Sequence, residues 1–220
     1  MRKRMKHKTA LFMFGVAVIV VLLLLAMFFV RMGGNSGNAV RVACVGDSIT
    51  LGTGYPIYLW QELGSNYMVG NFGVNGATVY LSLGSAYMNQ TAFQVAEQFE
   101  PNAVIIMLGT NDAHPNLDES NAVFISNYVM LVRAFQGLPS KPKIWIVLPP
   151  PIFNNTINLS GEYLAQNIIP DIKQVANQTR VPIIDANAPL ASDSELFYDG
   201  VHPNAYGAWM IANIVYKAIK

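Results

Sequence analysis

The chain has 220 residues, enough for one domain with a full hydrophobic core. Its 14 basic and 13 acidic residues nearly balance, but six basic residues lie within the first 31 positions, which leaves a net charge of about −5 beyond residue 40. That part therefore has no basic patch of the kind that binds nucleic acid, and its single cysteine, Cys44, excludes an intrachain disulfide.

Residues 11–30 form an apolar run interrupted only by Gly15; a basic tail at residues 1–10 precedes it and Arg31 ends it. A helix of this length at ~1.5 Å per residue spans ~30 Å, the thickness of the hydrocarbon core of a bilayer. The basic tail predicts a cytoplasmic N-terminus, so the run is interpreted as a transmembrane signal anchor. After a flexible linker at residues 31–39, the domain at residues 40–220 is expected outside the cytoplasm, in a lumenal, periplasmic or extracellular position.

A cleaved signal peptide is the alternative interpretation of the same run, and it would make the domain a secreted one. The apolar region of a signal peptide is shorter and ends at a small-x-small cleavage site. Here the run ends in the sequence AMFFVR at residues 26–31, which is bulky at that point. The residues favour the anchor and leave the secreted form as the alternative.

Short apolar runs alternate with amphipathic ones from residue 40 onward. In chain order, the pattern predicts strands at 40–45, 67–72, 103–108, 143–148 and 181–185, and helices at 55–63, 91–99, 120–135, 160–178 and 204–219. Ser160 is the predicted N-cap of the fourth helix, in which Pro170 is expected to cause a kink. Strict alternation predicts an α/β fold with a parallel sheet and helices on both faces. The three tryptophans fall within these elements and are expected in the core: Trp60, Trp145 and Trp209.

Polar residues collect after four of the predicted strands, at the sheet edge where open parallel sheets place reacting groups. The sequences there are GDSIT at 46–50, NFGVNG at 71–76, GTND at 109–112 and YDGVHPN at 198–204. A serine hydroxyl becomes a nucleophile when a base takes its proton and a third group orients that base. Ser48 is the candidate nucleophile of this set.

Histidine is the usual base near neutral pH, and the chain has three histidines. His7 lies in the basic tail. His202 follows Asp199 by three residues in one loop, so the carboxylate can reach the imidazole. His114 has Asp112 only two residues away, in a loop whose Asn111 has another use. The spacing therefore favours His202 as the base, and Asp47 and Asp112 are expected to be structural carboxylates.

Preorganised donors for an oxyanion are also present in the four blocks. Gly76 lacks a Cβ, so its backbone N–H can approach a substrate closely. Asn111 can offer its side-chain amide, and the backbone N–H of Ser48 would be the third donor. No cofactor or metal is expected, because neither the H-x-H nor the H-x-x-x-H spacing occurs.

Together these blocks resemble the SGNH (GDSL-like) hydrolase family: GDS at 46–48, a glycine after the second strand, GTND at 109–112 and DGVHP at 199–203. The resemblance runs from about Val42 to the C-terminus. It implies a flavodoxin-like three-layer α/β/α sandwich with a five-stranded parallel sheet. It also implies site roles: the catalytic triad would be Ser48, Asp199 and His202, and the oxyanion hole would be Ser48, Gly76 and Asn111.

The segments GTNDAHP, KPKIWIVLPPPIF and DGVHPNAYGA are most similar to the sialate O-acetylesterase-like or carbohydrate esterase subgroup. This similarity implies a serine carboxylic-ester hydrolase that removes a short acyl group, first of all acetyl, from a glycan-like or polyol substrate. His114 and Phe153 are candidate residues of the substrate rim.

Two other functions remain open. A lipase, lysophospholipase or thioesterase is one alternative, because the predicted anchor would hold the site near lipid. Against it, the loop at residues 152–160, with three Asn and a Thr, is more polar than a long acyl channel. A catalytically inactive, membrane-tethered binding domain is the other alternative, and the complete set of predicted catalytic residues argues against it.

Overall fold

The computed structural model describes residues 39–114, 117 and 120–220. The predicted basic tail, the predicted anchor and the linker up to residue 38 lie outside the described residues. Within the described ranges, no helix is long and apolar enough to cross a membrane.

A single parallel sheet forms the centre of the described domain. Its strands are Val40–Gly46 (β1), Tyr67–Gly73 (β2), Ala103–Met107 (β3), Lys143–Leu148 (β4) and Ile183–Asp185 (β5). They lie in the order β2-β1-β3-β4-β5, which is the flavodoxin-like order. The prediction of an α/β fold with a five-stranded parallel sheet is therefore confirmed. All four blocks of candidate residues follow strands whose carboxyl ends meet at one edge.

Helices connect the strands and lie close to their predicted positions. In chain order they are Ser48–Gly52 (α1), Tyr55–Leu63 (α2), Thr91–Gln98 (α3), Asn121–Gln136 (α4), Gly161–Tyr163 (α5), Ile169–Thr179 (α6) and Ala205–Ile219 (α7). Three short 3-10 helices lie in the loops at Tyr87–Asn89, Ala188–Leu190 and Ser194–Leu196. The helix α1 was not predicted, because its five residues are too few to show a helical apolar period.

The core consists of two clusters, one on each face of the sheet. Alternate residues of β3 point to opposite faces, so Ile106 packs with α3, α4 and α6 while Ile105 packs with α2 and α7. Every residue of β3 is buried, as expected for a central strand covered on both sides. The described domain is thus layered, with helices on both faces of the sheet.

The predicted fourth helix is interrupted by a π-helical turn at Leu164–Ile168, between α5 and α6. Ser160 caps its start, since the Ser160 hydroxyl accepts a hydrogen bond from the backbone N–H of Tyr163 at 3.1 Å. Pro170 lies in the first turn of α6. A proline ring clashes with the carbonyl four residues earlier, and here that position falls within the wider π turn. The interruption expected from Pro170 is therefore present as a change of helix type.

The prediction that all three tryptophans lie in the core is wrong. Trp60 is 49% exposed and Trp209 is 40% exposed, whereas Trp145 is half-buried against the cluster below α2 and α7. The Trp60 indole N–H donates to the Tyr67 carbonyl at 2.8 Å, and the Trp209 ring stacks on Tyr206. Both tryptophans lie on the flanks of their helices, where a ring can be partly covered while one side stays in water.

Candidate active site

The nucleophile candidate, Ser48, is placed by a tight turn between β1 and α1. A Cβ on Gly46 would lie 2.1 Å from the Thr50 hydroxyl oxygen and 2.6 Å from the Met107 carbonyl oxygen, so only glycine fits there. Asp47 then caps α1, because its Oδ1 accepts a hydrogen bond from the Ile49 N–H at 2.9 Å. Ser48 is consequently the first residue of a helix at the carboxyl edge of the sheet.

Ser48, His202 and Asp199 form one hydrogen-bonded line. The Ser48 Oγ lies 2.8 Å from His202 Nε2, and His202 Nδ1 lies 2.6 Å from Asp199 Oδ2. With its proton on Nδ1, the imidazole donates to the carboxylate and presents Nε2 to the serine hydroxyl as an acceptor. The structure thus brings together the three residues that the sequence predicted as a triad.

The loop at residues 197–203 holds Asp199 and His202 in this arrangement. The second carboxylate oxygen, Asp199 Oδ1, accepts the backbone N–H of His202 at 2.7 Å and that of Val201 at 3.0 Å. The Tyr198 N–H donates to the His202 carbonyl at 3.1 Å, which closes the loop. The three-residue spacing therefore orients both the carboxylate and the ring through local bonds.

Electrostatics distinguish Asp199 from the two buried aspartates near the site. Partial burial raises the pKa of Asp199, but hydrogen bonds from the His202 backbone and ring and from the Val201 N–H outweigh it, so its pKa lies below the usual value. Asp47 and Asp112 are fully buried, and burial raises their pKa values to about 6 and about 7. Asp112 Oδ1 accepts the Val79 N–H at 2.8 Å, which anchors the backbone that follows Gly76.

The two further oxyanion candidates, Gly76 and Asn111, lie side by side. Gly76 has a φ of +68°, in the left-handed region, and a Cβ there would meet no atom of the described residues within 4 Å. The Asn111 side-chain amide donates to the Ala77 carbonyl at 3.0 Å, which ties it to the loop after β2. An amide nitrogen carries two hydrogens, so one N–H of Asn111 remains for a substrate oxygen.

The loop that carries Gly76 is attached to α1 by Asn71. Its side-chain amide donates to the carbonyls of Thr50 at 2.9 Å and Leu51 at 3.1 Å, and its Oδ1 accepts the Gly73 N–H at 3.0 Å. A Cβ on Gly73 would lie 2.3 Å from the Leu51 nitrogen. The close contact of the two segments therefore needs glycine at position 73. The role of Asn71 in building the site was not predicted, although Asn71 opens the second block.

Gly76 and Asn111 line a cavity of about 390 Å³, called here the Gly76 cavity. His114 lies in it, with its Nε2 3.5 Å from the Asn158 amide nitrogen. The remaining lining is mixed polar and apolar: Thr78, Leu83, Ser85, Leu117, Ile157 and Leu159. The loop at residues 152–160 was expected to be polar, yet it contributes the side chains of Ile157 and Leu159 to this cavity.

Phe153, the other candidate rim residue, lies in a different cavity of about 700 Å³ beside Asp199, called here the Tyr198 cavity. The two candidate rim residues, His114 and Phe153, thus line different cavities. Tyr198 lines the second cavity and stacks on His202, with 5.8 Å between ring centroids and 16° between planes. Sequence reasoning missed Tyr198, although its place directly before Asp199 in the fourth block was a usable signal.

Among the described residues, no group of three or more His, Cys, Asp or Glu side chains is placed to hold a metal ion. A serine with an adjacent imidazole base, close to two amide groups, is an arrangement suited to nucleophilic attack.

Comparison with known sequences finds a matching family model and a related esterase. A family model described as the GDSL-like Lipase/Acylhydrolase family matches residues 44–210. An acetylxylan esterase of Xylanibacter ruminicola is 34% identical over 209 residues, which cover 83% of this chain and 44% of that protein. The chain thus spans less than half the length of this relative.

Solved structures with the same fold include esterases. The native aryl esterase of M. smegmatis matches with a TM-score of 0.63 at 21% identity, over 82% of this chain and 98% of that one. A carbohydrate acetylesterase family member from Sinorhizobium meliloti matches with a TM-score of 0.63 at 22% identity, over 81% and 96%. At these identities the likeness shows a shared fold. The family match, which covers most of the described domain, shows that the chain belongs to the GDSL-like lipase/acylhydrolase family, the SGNH-type esterases.

Proposed function

We propose that this protein is a serine carboxylic-ester hydrolase that removes a short acyl group, first of all acetyl, from a glycan-like or polyol substrate. The hydrogen-bonded line from Ser48 through His202 to Asp199 is the observation that carries the proposal. The acetylxylan esterase that is 34% identical supports a glycan ester as the substrate class.

The first half of the reaction forms an acyl-enzyme. His202 Nε2 takes the proton of the Ser48 hydroxyl, and the serine oxygen bonds to the ester carbonyl carbon. The negative charge that develops on the carbonyl oxygen is stabilised by the N–H groups of Ser48, Gly76 and Asn111. The bond to the alcohol oxygen then breaks, and His202 gives its proton to the departing alcohol.

The second half releases the acid. His202 takes a proton from water, whose oxygen attacks the acyl carbon, and the Ser48 oxygen leaves with the proton that His202 returns. Asp199 stays ionised throughout, because its hydrogen bonds favour the carboxylate, and it stabilises the imidazolium that forms in each half.

The direct test is a series of p-nitrophenyl esters with acetyl, butyryl, octanoyl and longer acyl groups. The proposal predicts the highest kcat/KM for acetyl, and a loss of ~10³ or more in kcat in Ser48→Ala and in His202→Ala, each with unchanged circular dichroism. Near-wild-type turnover in either folded variant would contradict the triad. A wild-type protein that hydrolyses none of these esters would favour the non-catalytic binding domain.

A second candidate function is an esterase or thioesterase for longer, lipid-derived acyl groups. The observation that favours it is the apolar part of the Gly76 cavity, where Leu83, Ile157 and Leu159 stand beside the oxyanion donors. The same ester series separates the two functions. In an apolar acyl channel each buried methylene contributes ~0.8 kcal/mol of binding free energy, so kcat/KM would rise with acyl chain length.

We also propose that residues 11–30 anchor the protein in a membrane, with the basic tail in the cytoplasm and the domain on the other side. The length of the run, the charge asymmetry and the missing small-x-small site support this topology. N-terminal sequencing of the mature protein from membranes is expected to begin at the native N-terminus. A sequence beginning between residues 31 and 40, with activity in the medium, would show a secreted protein.

A further inference from the structure

The oxyanion donors and the ring beside His202 line two different cavities. The oxyanion donors Gly76 and Asn111 belong to the Gly76 cavity, whereas His202 is flanked by Tyr198, which lines the Tyr198 cavity. In the proposed reaction His202 protonates the departing alcohol, so the alcohol leaves next to the imidazole. An alcohol that leaves beside the imidazole would lie near Tyr198, on the other side of the imidazole from Ser48's oxyanion donors in the proposed reaction.

Three aromatic residues line the Tyr198 cavity: Phe153, Phe197 and Tyr198. Tyr198 is 70% exposed, and its ring lies nearly parallel to the His202 imidazole. Phe153 and Phe197 pack against each other with 5.1 Å between ring centroids. An exposed aromatic face can cover the apolar C–H face of a sugar ring, while the phenol hydroxyl at its end stays available for hydrogen bonds.

Exposed polar side chains surround these rings. The amide of Asn154 and the hydroxyls of Thr156 and Ser194 line the same cavity and are exposed. An amide and hydroxyls both donate and accept hydrogen bonds, which suits the hydroxyl groups of a sugar. A fatty acyl chain would instead have to displace water from these groups and from the Asp199 carboxylate without replacing their hydrogen bonds.

The cavity is held in shape by its own loops. Both polar atoms of the Asn155 side chain form hydrogen bonds within the loop. Nδ2 donates to the carbonyls of Phe153 and Leu159, and Oδ1 accepts from the backbone N–H groups of Ile157 and Leu159. The Phe153 N–H donates to the Gly200 carbonyl at 2.7 Å, which joins this loop to the one that carries Asp199. The volume of about 700 Å³ falls within the ~300–1,000 Å³ of ligand sites.

We propose that the Tyr198 cavity binds a sugar ring of the substrate glycan on the leaving-alcohol side of Ser48, with Tyr198 stacked on its face. The ring is the sugar that bears the ester or its neighbour in the chain. This inference rests on the proposed esterase function. It narrows the substrate class to esters whose alcohol part is a sugar or a chain of sugars.

The kinetic test compares an acetylated xylo-oligosaccharide with p-nitrophenyl acetate on the full-length chain. Tyr198→Ala is expected to lower kcat/KM for the oligosaccharide about tenfold more than for the small ester, mainly through KM, because one stacked contact is lost. Tyr198→Phe keeps the ring and is expected to retain most of the preference. Thr156→Val removes a hydroxyl at constant shape and is expected to lower kcat/KM for the oligosaccharide a few-fold. Tyr206→Ala is the matched control, since Tyr206 is also exposed but does not line the cavity.

The binding test uses the Ser48→Ala chain and saturation-transfer NMR with four unacetylated probes: xylotetraose, cellotetraose, mannotetraose and chitotetraose. At least one probe is expected to bind, and Tyr198→Ala in the same background is expected to weaken that binding about tenfold. Failure of all four to bind would overturn the proposal. So would an equal loss on both esters in Tyr198→Ala, which would make Tyr198 a positioning residue for His202. Absence of Ser48-dependent hydrolysis of p-nitrophenyl acetate would instead refute the esterase function itself.

Discussion

Asp47 and Asp199 each stand close in sequence to a predicted catalytic residue, yet their environments are opposite. Asp47 directly precedes Ser48, is fully buried and has a pKa raised by burial to about 6. Asp199 precedes His202 by three residues, is 34% exposed at its side chain and has a lowered pKa. The chain therefore holds one aspartate that caps a helix and one that faces the imidazole.

Hydrogen-bond donors and solvent account for this difference. Asp199 receives the His202 ring N–H and two backbone N–H groups while it keeps contact with water, so its charge is well stabilised. Burial of Asp47 outweighs the stabilisation that its hydrogen bonds supply, so the pKa rises. Adjacency to the nucleophile in sequence therefore does not make Asp47 the electrostatic partner in the site. The hydrogen-bond donors around each aspartate determine whether its carboxylate is stabilised.

The largest effect expected from this comparison is that of Asp199→Asn. Without the carboxylate, the imidazolium loses its partner and the ring can adopt the wrong tautomer, so kcat is expected to fall by ~10³–10⁴. Asp47→Asn is the matched variant, since an asparagine oxygen can still cap α1, and its kcat is expected to fall less than about tenfold. Steady-state kinetics on p-nitrophenyl acetate measure both values of kcat, and equal losses would contradict the different roles of the two aspartates.

A smaller effect is expected for Asn111→Ala. The substitution removes one donor aimed at the developing oxyanion and frees the Ala77 carbonyl, so kcat is expected to fall by ~10² or more while KM changes little. A change confined to KM would instead make Asn111 a residue that binds the substrate in its ground state.

Asp112 extends the comparison to stability, because burial raises its pKa to about 7 and its Oδ2 has no hydrogen-bond partner among the described residues. A carboxyl whose pKa is raised in the folded state makes its full contribution to the free energy of unfolding at a pH below its unfolded pKa, ~4. That contribution is lost as the pH rises to the folded pKa of about 7. In Asp112→Asn, the drop in the free energy of unfolding between pH 4 and pH 7.5 is expected to be smaller by roughly 1–3 kcal/mol. Urea unfolding at pH 4, 5.5 and 7.5 measures it, and parallel profiles for the two proteins would contradict the assignment.

The smallest effect is expected for His114→Ala. His114 lines the Gly76 cavity beside Asn158, while Ser48 is hydrogen-bonded to His202. The kcat for p-nitrophenyl acetate is therefore expected to fall less than about tenfold, far below the loss in His202→Ala. A comparable loss in both variants would mean that His114 also takes part in proton transfer.

Much of the fold could be predicted from the sequence because its elements are long or clearly apolar. The helix at 55–63 and the strand at 143–148 have the predicted bounds, since Pro56 marks the start of the first and a polar loop borders the second. The four blocks could be placed at one sheet edge because parallel strands end there together. The triad spacing was informative because Asp199 and His202 contact each other within one loop.

Side-chain placement in the longer loops could not be predicted in the same way. Strand order brings the loop at 152–160 to the site, but Phe153 and Ile157 of this loop line different cavities. Hydrogen bonds within the loop to Asn155 help to set its course, and the apolar pattern of the sequence does not reveal them. The exposure of Trp60 and Trp209 depends on which helix flank faces the sheet. Apolar character alone does not determine that choice for a large ring with a polar edge.

Covalent labelling bears directly on the claim that His202 activates Ser48 as a nucleophile. Diethyl p-nitrophenyl phosphate, which phosphorylates activated serines, should inactivate the wild-type protein with one adduct per chain, and peptide mapping should place that adduct on Ser48. His202→Ala should slow the labelling by ~10³ or more, and Ser48→Ala should prevent it. Inactivation with an adduct on another residue, or labelling of Ser48 at the wild-type rate in His202→Ala, would contradict the claim.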